Sequence, residues 1–134
     1  MIHLDTSFIV DLLREERRER FGPAHEMLAS LEDEPIALSV FVLCELEHGI
    51  RGAARRDAER LNVEAVLRAI EVRYPDERFA LRYGEIAQGL QMGRRVVAPM
   101  DLLIGVSALI DDASLVTGNA KHFGVIPGLH VLGY

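Results

Sequence analysis

Apolar positions along this chain follow two alternating rhythms. Short segments at residues 2–4, 36–38, 72–74, 114–117 and 129–132 are rich in Ile, Leu and Val and bounded by turn residues, the pattern of strands. Between them, apolar residues recur every three or four positions, which predicts helices over residues 8–19, 24–31, 40–50, 54–70, 77–92 and 100–110, with a short helical piece at 120–123. Gly22-Pro23, Pro35, Gly52, Pro75, Gly93 and Gly118 punctuate these segments. Thr6 or Ser7 is the expected cap of the first helix, Ser39 of the third and Asp76 of the fifth. In the fifth, Phe79, Leu81, Tyr83, Ile86 and Leu90 are expected to face inward. Strands alternating with helices imply an α/β fold with a parallel sheet covered on both faces, and no repeat or linker divides residues 1–134 into more than one domain.

Composition narrows the class. Hydrophobic residues are 49% of the chain and charged residues 27%, as in a globular domain. No apolar run nears the ~20 residues that span a bilayer, and the N-terminus lacks a basic-then-apolar leader, so the expected location is the cytoplasm. Cys44 is the single cysteine, which excludes an internal disulfide or a Cys-rich zinc site and is expected to pack as a small apolar residue. A net charge of −6 argues against a broad nucleic-acid-binding surface but leaves room for local ones. Arginines cluster at Arg14, Arg17, Arg18 and Arg20, at Arg51, Arg55, Arg56 and Arg60, and at Arg94 and Arg95, although solvated helix faces collect arginine too.

Three acids stand apart because their neighbours are apolar. Asp5 follows the first strand, at the end where α/β sheets bind ligands. Glu45 lies within Phe41-Val42-Leu43-Cys44-Glu45-Leu46, and Asp101 opens the most apolar helix of the chain. Each has an ordinary reading: a loop acid beside a cap, a half-exposed helix position, a helix N-cap after Pro99. Brought together, they could not all stay ionised without a cation between them. Oxygen donors with no clustered His or Cys favour Mg²⁺ or Mn²⁺, and the matching chemistry is hydrolysis of a phosphodiester by a metal-activated water. Asn119, in a turn after the fourth strand, is expected at the same sheet edge as Asp5. Gly49 and Gly105, four residues past Glu45 and Asp101, either admit a substrate or serve helix packing.

Leu4-Asp5-Thr6-Ser7, Ser39 through Glu45-Leu46 to Gly49, Met100-Asp101-Leu102-Leu103-Ile104-Gly105, and Leu115-Val116-Thr117-Gly118-Asn119 with Lys121-His122-Phe123 occur in this order over nearly the whole chain. In that order they resemble the PIN-domain family, and within it the VapC-type toxins of toxin–antitoxin pairs. The resemblance implies a three-layer α/β/α domain with a parallel sheet of about five strands. It also implies a Mg²⁺- or Mn²⁺-dependent endoribonuclease with Asp5, Glu45, Asp101 and Asn119 at the catalytic positions. Asp5 and Asp101 would be the direct metal ligands, and Thr6, Ser7 and Thr117 supporting hydroxyls. Its partners would be RNA, a second copy in a homodimer, and a small VapB-like antitoxin.

Two positions depart from the pattern. Asn119 stands where an acid is frequent, which implies one firmly held ion and a second only with substrate phosphate present. His122 stands where an acid often precedes the Phe. Two rival readings remain at this level: a PIN-fold binding or regulatory module, and a Mg²⁺-dependent phosphatase of the haloacid-dehalogenase type. The phosphatase chemistry wants a second acid where Ser7 stands.

Overall fold

A computed structural model describes residues 1–134. The elements run β1 (Ile2–Leu4), α1 (Thr6–Arg17), α2 (Pro23–Ser30), β2 (Ile36–Ser39), α3 (Val40–Gly52), α4 (Arg56–Leu67), β3 (Glu71–Arg73), α5 (Phe79–Met92), α6 (Pro99–Ile110), β4 (Ser114–Val116), α7 (Ala120–Phe123) and β5 (Val131–Leu132). Every predicted element is present, with ends displaced by a few residues.

The five strands form one sheet in the order β3-β2-β1-β4-β5, and every pairing is parallel. Parallel neighbours need crossovers, and these are right-handed almost without exception. Helices α1 to α4 therefore cover the face reached on the way from β1 to β3, and α5 to α7 cover the other. The packing largely follows this division, since α1 contacts α2, α3 and α4 while α6 contacts α5 and α7, and α3 also touches α6. Between the layers lies a core that includes Leu4, Phe8, Ile9, Leu38, Ile104, Leu115 and Phe123, all essentially inaccessible to solvent.

β1 sits at the centre, buried along its whole length. It carries one polar side chain into the core. His3 places Nε2 2.7 Å from Asp111 Oδ2, and Arg73 grips the same carboxylate with Nε and Nη2, each at 3.1 Å. Burial depresses the His3 pKa even though Asp111 draws it upward. Its Nδ1 is the one buried side-chain polar atom without a partner.

Several sequence expectations are corrected. Neither Thr6 nor Ser7 caps α1: the cap position is Asp5, and no side chain bonds the first-turn N–H groups. Ser39 does cap α3, accepting the Val42 N–H at 3.4 Å. Asp76 accepts the Arg78 N–H at 2.9 Å in a turn before α5, which starts later than expected at Phe79. Leu81 is exposed, because α5 packs on α6 and buries the face that carries Ile86 and Leu90. Cys44 is exposed as well, on the side of α3 away from Val42 and Leu46. No helix is long and apolar enough to cross a membrane.

Candidate active site at the sheet switch point

Strand order reverses direction between β1 and β4, and in open α/β sheets the crevice at such a point, beyond the carboxyl ends of the strands, is where ligands bind. The register pairs Leu4 with Val116, so the next residues, Asp5 and Thr117, emerge side by side. Both are buried. The Asp5 N–H donates to the Val116 carbonyl at 2.9 Å, extending the ladder one residue past the strand and fixing where the carboxylate starts.

Two hydroxyls then hold that carboxylate. Thr117 Oγ1 donates to Asp5 Oδ2 at 2.7 Å, and Ser7 Oγ donates to the same oxygen at 2.8 Å. Both hydroxyls are themselves fixed, since the Asn119 N–H donates to Thr117 Oγ1 at 2.9 Å and the Gly118 N–H donates to Ser7 Oγ at 3.0 Å. Oδ1 takes no hydrogen bond from the protein, yet it is not sealed from solvent. One oxygen is thus anchored and the other left available.

The remaining acids arrive from two helices. Glu45 lies on α3, half-buried, and Thr6 Oγ1 donates to its Oε1 at 2.6 Å. Asp101 lies in the first turn of α6, which begins with Pro99 after Ala98, so it is not the cap residue. A carboxylate suits that position, where the helix dipole presents its positive end. Asp101 accepts no hydrogen bond and has no ion-pair partner. Burial, the nearby charge of Asp5 and then that of Glu45 all raise its pKa, and only His122 acts in the opposite direction.

Asp101 therefore lies within reach of the charges of both Asp5 and Glu45, and none of the three pairs with a Lys or Arg. The available donors are carboxylate oxygens, the chemistry of a hard divalent cation, which accepts one or two carboxylates and keeps waters for its other positions. No three His, Cys, Asp or Glu side chains stand close enough, as positioned, to share an ion.

Asn119 reaches the site through its backbone, while its side chain is exposed and unbonded. Two residues beyond the sequence reading also belong here. Tyr134 Oη donates to Asp11 Oδ2 at 2.6 Å, and a Cβ added at Gly118 would lie 3.1 Å from that phenol and 3.5 Å from Ser7 Oγ. Burial and the bond to Asp11 push the phenol's pKa well up. No local pattern marks this pair, which meets across 123 residues; only the i, i+4 spacing of Ser7 and Asp11 on α1 hints at it.

The two glycines part company. Gly105 serves packing, since a Cβ there would stand 2.6 Å from Ile126 Cδ1, whereas Gly49 has open space beside it. The 51–60 arginine cluster is partly consumed by Glu47, which binds Arg60 through two bonds at 2.6 and 2.9 Å and Arg51 at 3.2 Å. These bonds, Arg60's foremost, hold the Glu47 carboxyl near 2.

The chain is 33% identical over 128 residues to Ribonuclease VapC19 of Mycobacterium tuberculosis, covering 94% of each. It is 31% identical over 104 residues to Ribonuclease VapC2 of Rickettsia felis, covering 78% of this chain and 76% of that one. Among solved structures it is similar to a chain of VapBC2 from Rickettsia felis bound to a DNA fragment from their promoter, with a TM-score of 0.90, 26% identity, and coverage of 100% and 99% of the two chains. The family model described as PIN domain matches residues 2–128. With that match covering four of the five strands and Asp5, Glu45, Asp101 and Asn119, this chain belongs to the PIN domain family.

Proposed function

We propose that the chain is a metal-dependent endoribonuclease acting as the toxin of a toxin–antitoxin pair, with Asp5, Glu45, Asp101 and Asn119 as its catalytic set. The observation that carries this reading is that Asp101 lies within reach of the charges of both Asp5 and Glu45 at the switch point of the sheet, with none of the three paired to a Lys or Arg. The ribonuclease relatives and the VapBC structure support the substrate class and the partner.

Asp5, through Oδ1, and Asp101 would hold Mg²⁺ or Mn²⁺. When bound, such an ion polarises a phosphoryl oxygen and makes a water nucleophilic at neutral pH. Ser7 and Thr117 keep Asp5 from swinging, and Thr6 leaves Glu45 Oε2 free to accept the proton of an attacking water. Asn119 contributes an amide oxygen without charge, so one firmly held ion is expected, and a second only alongside substrate phosphate. The small antitoxin would neutralise the same crevice, where an arginine fits the paired acids as a cation does. A homodimer completes the assembly.

The test is cleavage of a mixed RNA pool by the purified, partner-free chain with Mg²⁺, with Mn²⁺ and with EDTA, beside Asp101→Asn. Cutting that requires metal and disappears in the variant is the expected result. No cutting by folded protein under either metal would overturn the nuclease reading in favour of a binding module on the same fold.

A further inference from the structure

Ser7, Asp11, Arg14 and Arg18 are spaced four, three and four residues apart, which sets them in one line along α1 and its C-terminal cap. The line begins at the hydroxyl that anchors Asp5 and ends about 16 Å away, at 1.5 Å of rise per residue. There Glu19 adopts a left-handed φ of 50°, and the Arg20 N–H turns back to the Glu15 carbonyl at 3.1 Å, closing the helix and returning Arg20 alongside it.

The chain then builds a depression around Glu15. The Glu15 carboxylate accepts the N–H groups of Gly22 at 2.7 Å, Ala24 at 2.9 Å and His25 at 3.1 Å, and lies 2.8 Å from His25 Nδ1. That turn, with Tyr134 at the end nearer the acids, encloses a cleft of about 350 Å³ lined also by Asp11, Arg14, Arg18 and Arg20.

Its charges are unequally committed. Asp11 accepts Arg14 on Oδ1 at 2.8 Å and Tyr134 on Oδ2, and Glu15 is saturated. Arg17, pointing elsewhere, reaches Glu59 at 3.4 Å. Arg18 and Arg20 pair with no carboxylate, so the cleft is left with two uncommitted guanidinium groups in a chain of net charge −6. A polyanion that must approach three carboxylates needs cations placed along its path, and guanidinium forks match phosphate oxygens.

We propose that this cleft is a backbone-phosphate subsite for single-stranded RNA, with Arg18 and Arg20 holding phosphates of the strand that leads away from the acidic crevice. The proposal rests on the ribonuclease reading and specifies where its substrate lies.

Fluorescence anisotropy of a labelled single-stranded RNA on partner-free Asp101→Asn protein, across a salt series, tests it. Adding Arg18→Gln and Arg20→Gln should weaken binding roughly tenfold at low salt and flatten the log K against log salt slope by about 1.4, two single-strand contacts' worth. Arg18→Lys with Arg20→Lys should keep most of the slope, and Arg55→Gln with Arg56→Gln should leave affinity and slope alone. Unchanged affinity and slope in the glutamine pair overturns the subsite. So does a pair that binds RNA normally but loses a polyglutamate peptide, which would assign the cleft to an acidic protein segment. Failure of the wild-type chain to cut RNA overturns the nuclease reading separately, because the subsite is judged on binding alone.

Discussion

Glu15→Gln removes the carboxylate that organises the turn between α1 and α2, and the structure sets the size of the effect. Burial works against the charged form, but the His25 ring and the N–H groups of Gly22, His25 and Ala24 outweigh it, bringing the Glu15 carboxyl from 4.5 down to about 2. At 1.36 kcal/mol per pH unit, that difference is worth about 3 kcal/mol as an upper bound. The side chain keeps 15% of its exposure, so solvent screening trims the expected value to about 2 kcal/mol. Glutamine retains one carbonyl acceptor but turns an NH₂ group toward N–H donors it cannot satisfy.

The pH dependence comes from the direction of the shift. A carboxyl whose folded pKa is depressed stabilises the fold fully above its unfolded value, near 4.5, and loses that contribution as pH falls through about 2. Urea denaturation of both proteins, followed by circular dichroism, should therefore show a difference of about 2 kcal/mol at about pH 6 that shrinks to less than half by about pH 3. Taking the difference removes the parallel acid losses at Glu47, Asp76 and Asp111, whose carboxyls are also depressed. A difference that holds constant across this range would refute the reasoning, as would one below about 0.5 kcal/mol at neutral pH.

Three further outcomes are expected. Thr6→Val removes the only side-chain hydrogen bond to Glu45, the proposed proton acceptor, and should lower the rate of RNA cleavage at saturating Mn²⁺ by roughly 10–100-fold, with folding stability changed by about 1 kcal/mol at most. Gly105→Ala puts a methyl 2.6 Å from Ile126 Cδ1 and 3.4 Å from Leu129 Cδ2, and because Ile126 is buried the urea midpoint should fall by an amount equivalent to about 1–2 kcal/mol. Asp111→Asn weakens the fork with Arg73 and the bond to His3, and because the Arg73 side chain is 39% exposed this should cost about 1–2 kcal/mol of stability. Cleavage per folded molecule should stay unchanged in that variant, since Asp111 lies about 15 Å along α6 from Asp101.

The fold was legible in the sequence because its signals are local. Alternation between short strand segments and helical periodicity depends only on which face each residue must bury, and it predicted every element and the parallel sheet. Asp5, Glu45 and Asp101 stood out for the same reason, as charges among apolar neighbours, and the structure brings them within reach of one another's charge. The ends of elements were less legible: α5 starts at Phe79 because Asp76 spends its side chain on the turn before it, and Leu81 is exposed because packing on α6 covers only part of that helix.

What only the tertiary structure decided is where each hydroxyl goes. In sequence, Thr6 and Ser7 are as good as any helix caps. In the fold, Thr6 serves Glu45, 39 residues away, and Ser7 shares Asp5 with Thr117, 112 residues from that acid. Those choices arise from the register of β1 against β4 and from the seating of α3, which are settled by the whole core at once. The same holds for the arginines, since only the packed chain distinguishes Arg51 and Arg60, spent on Glu47, from Arg18 and Arg20, left free. A local pattern sets what a residue can bond; long-range register sets what it meets.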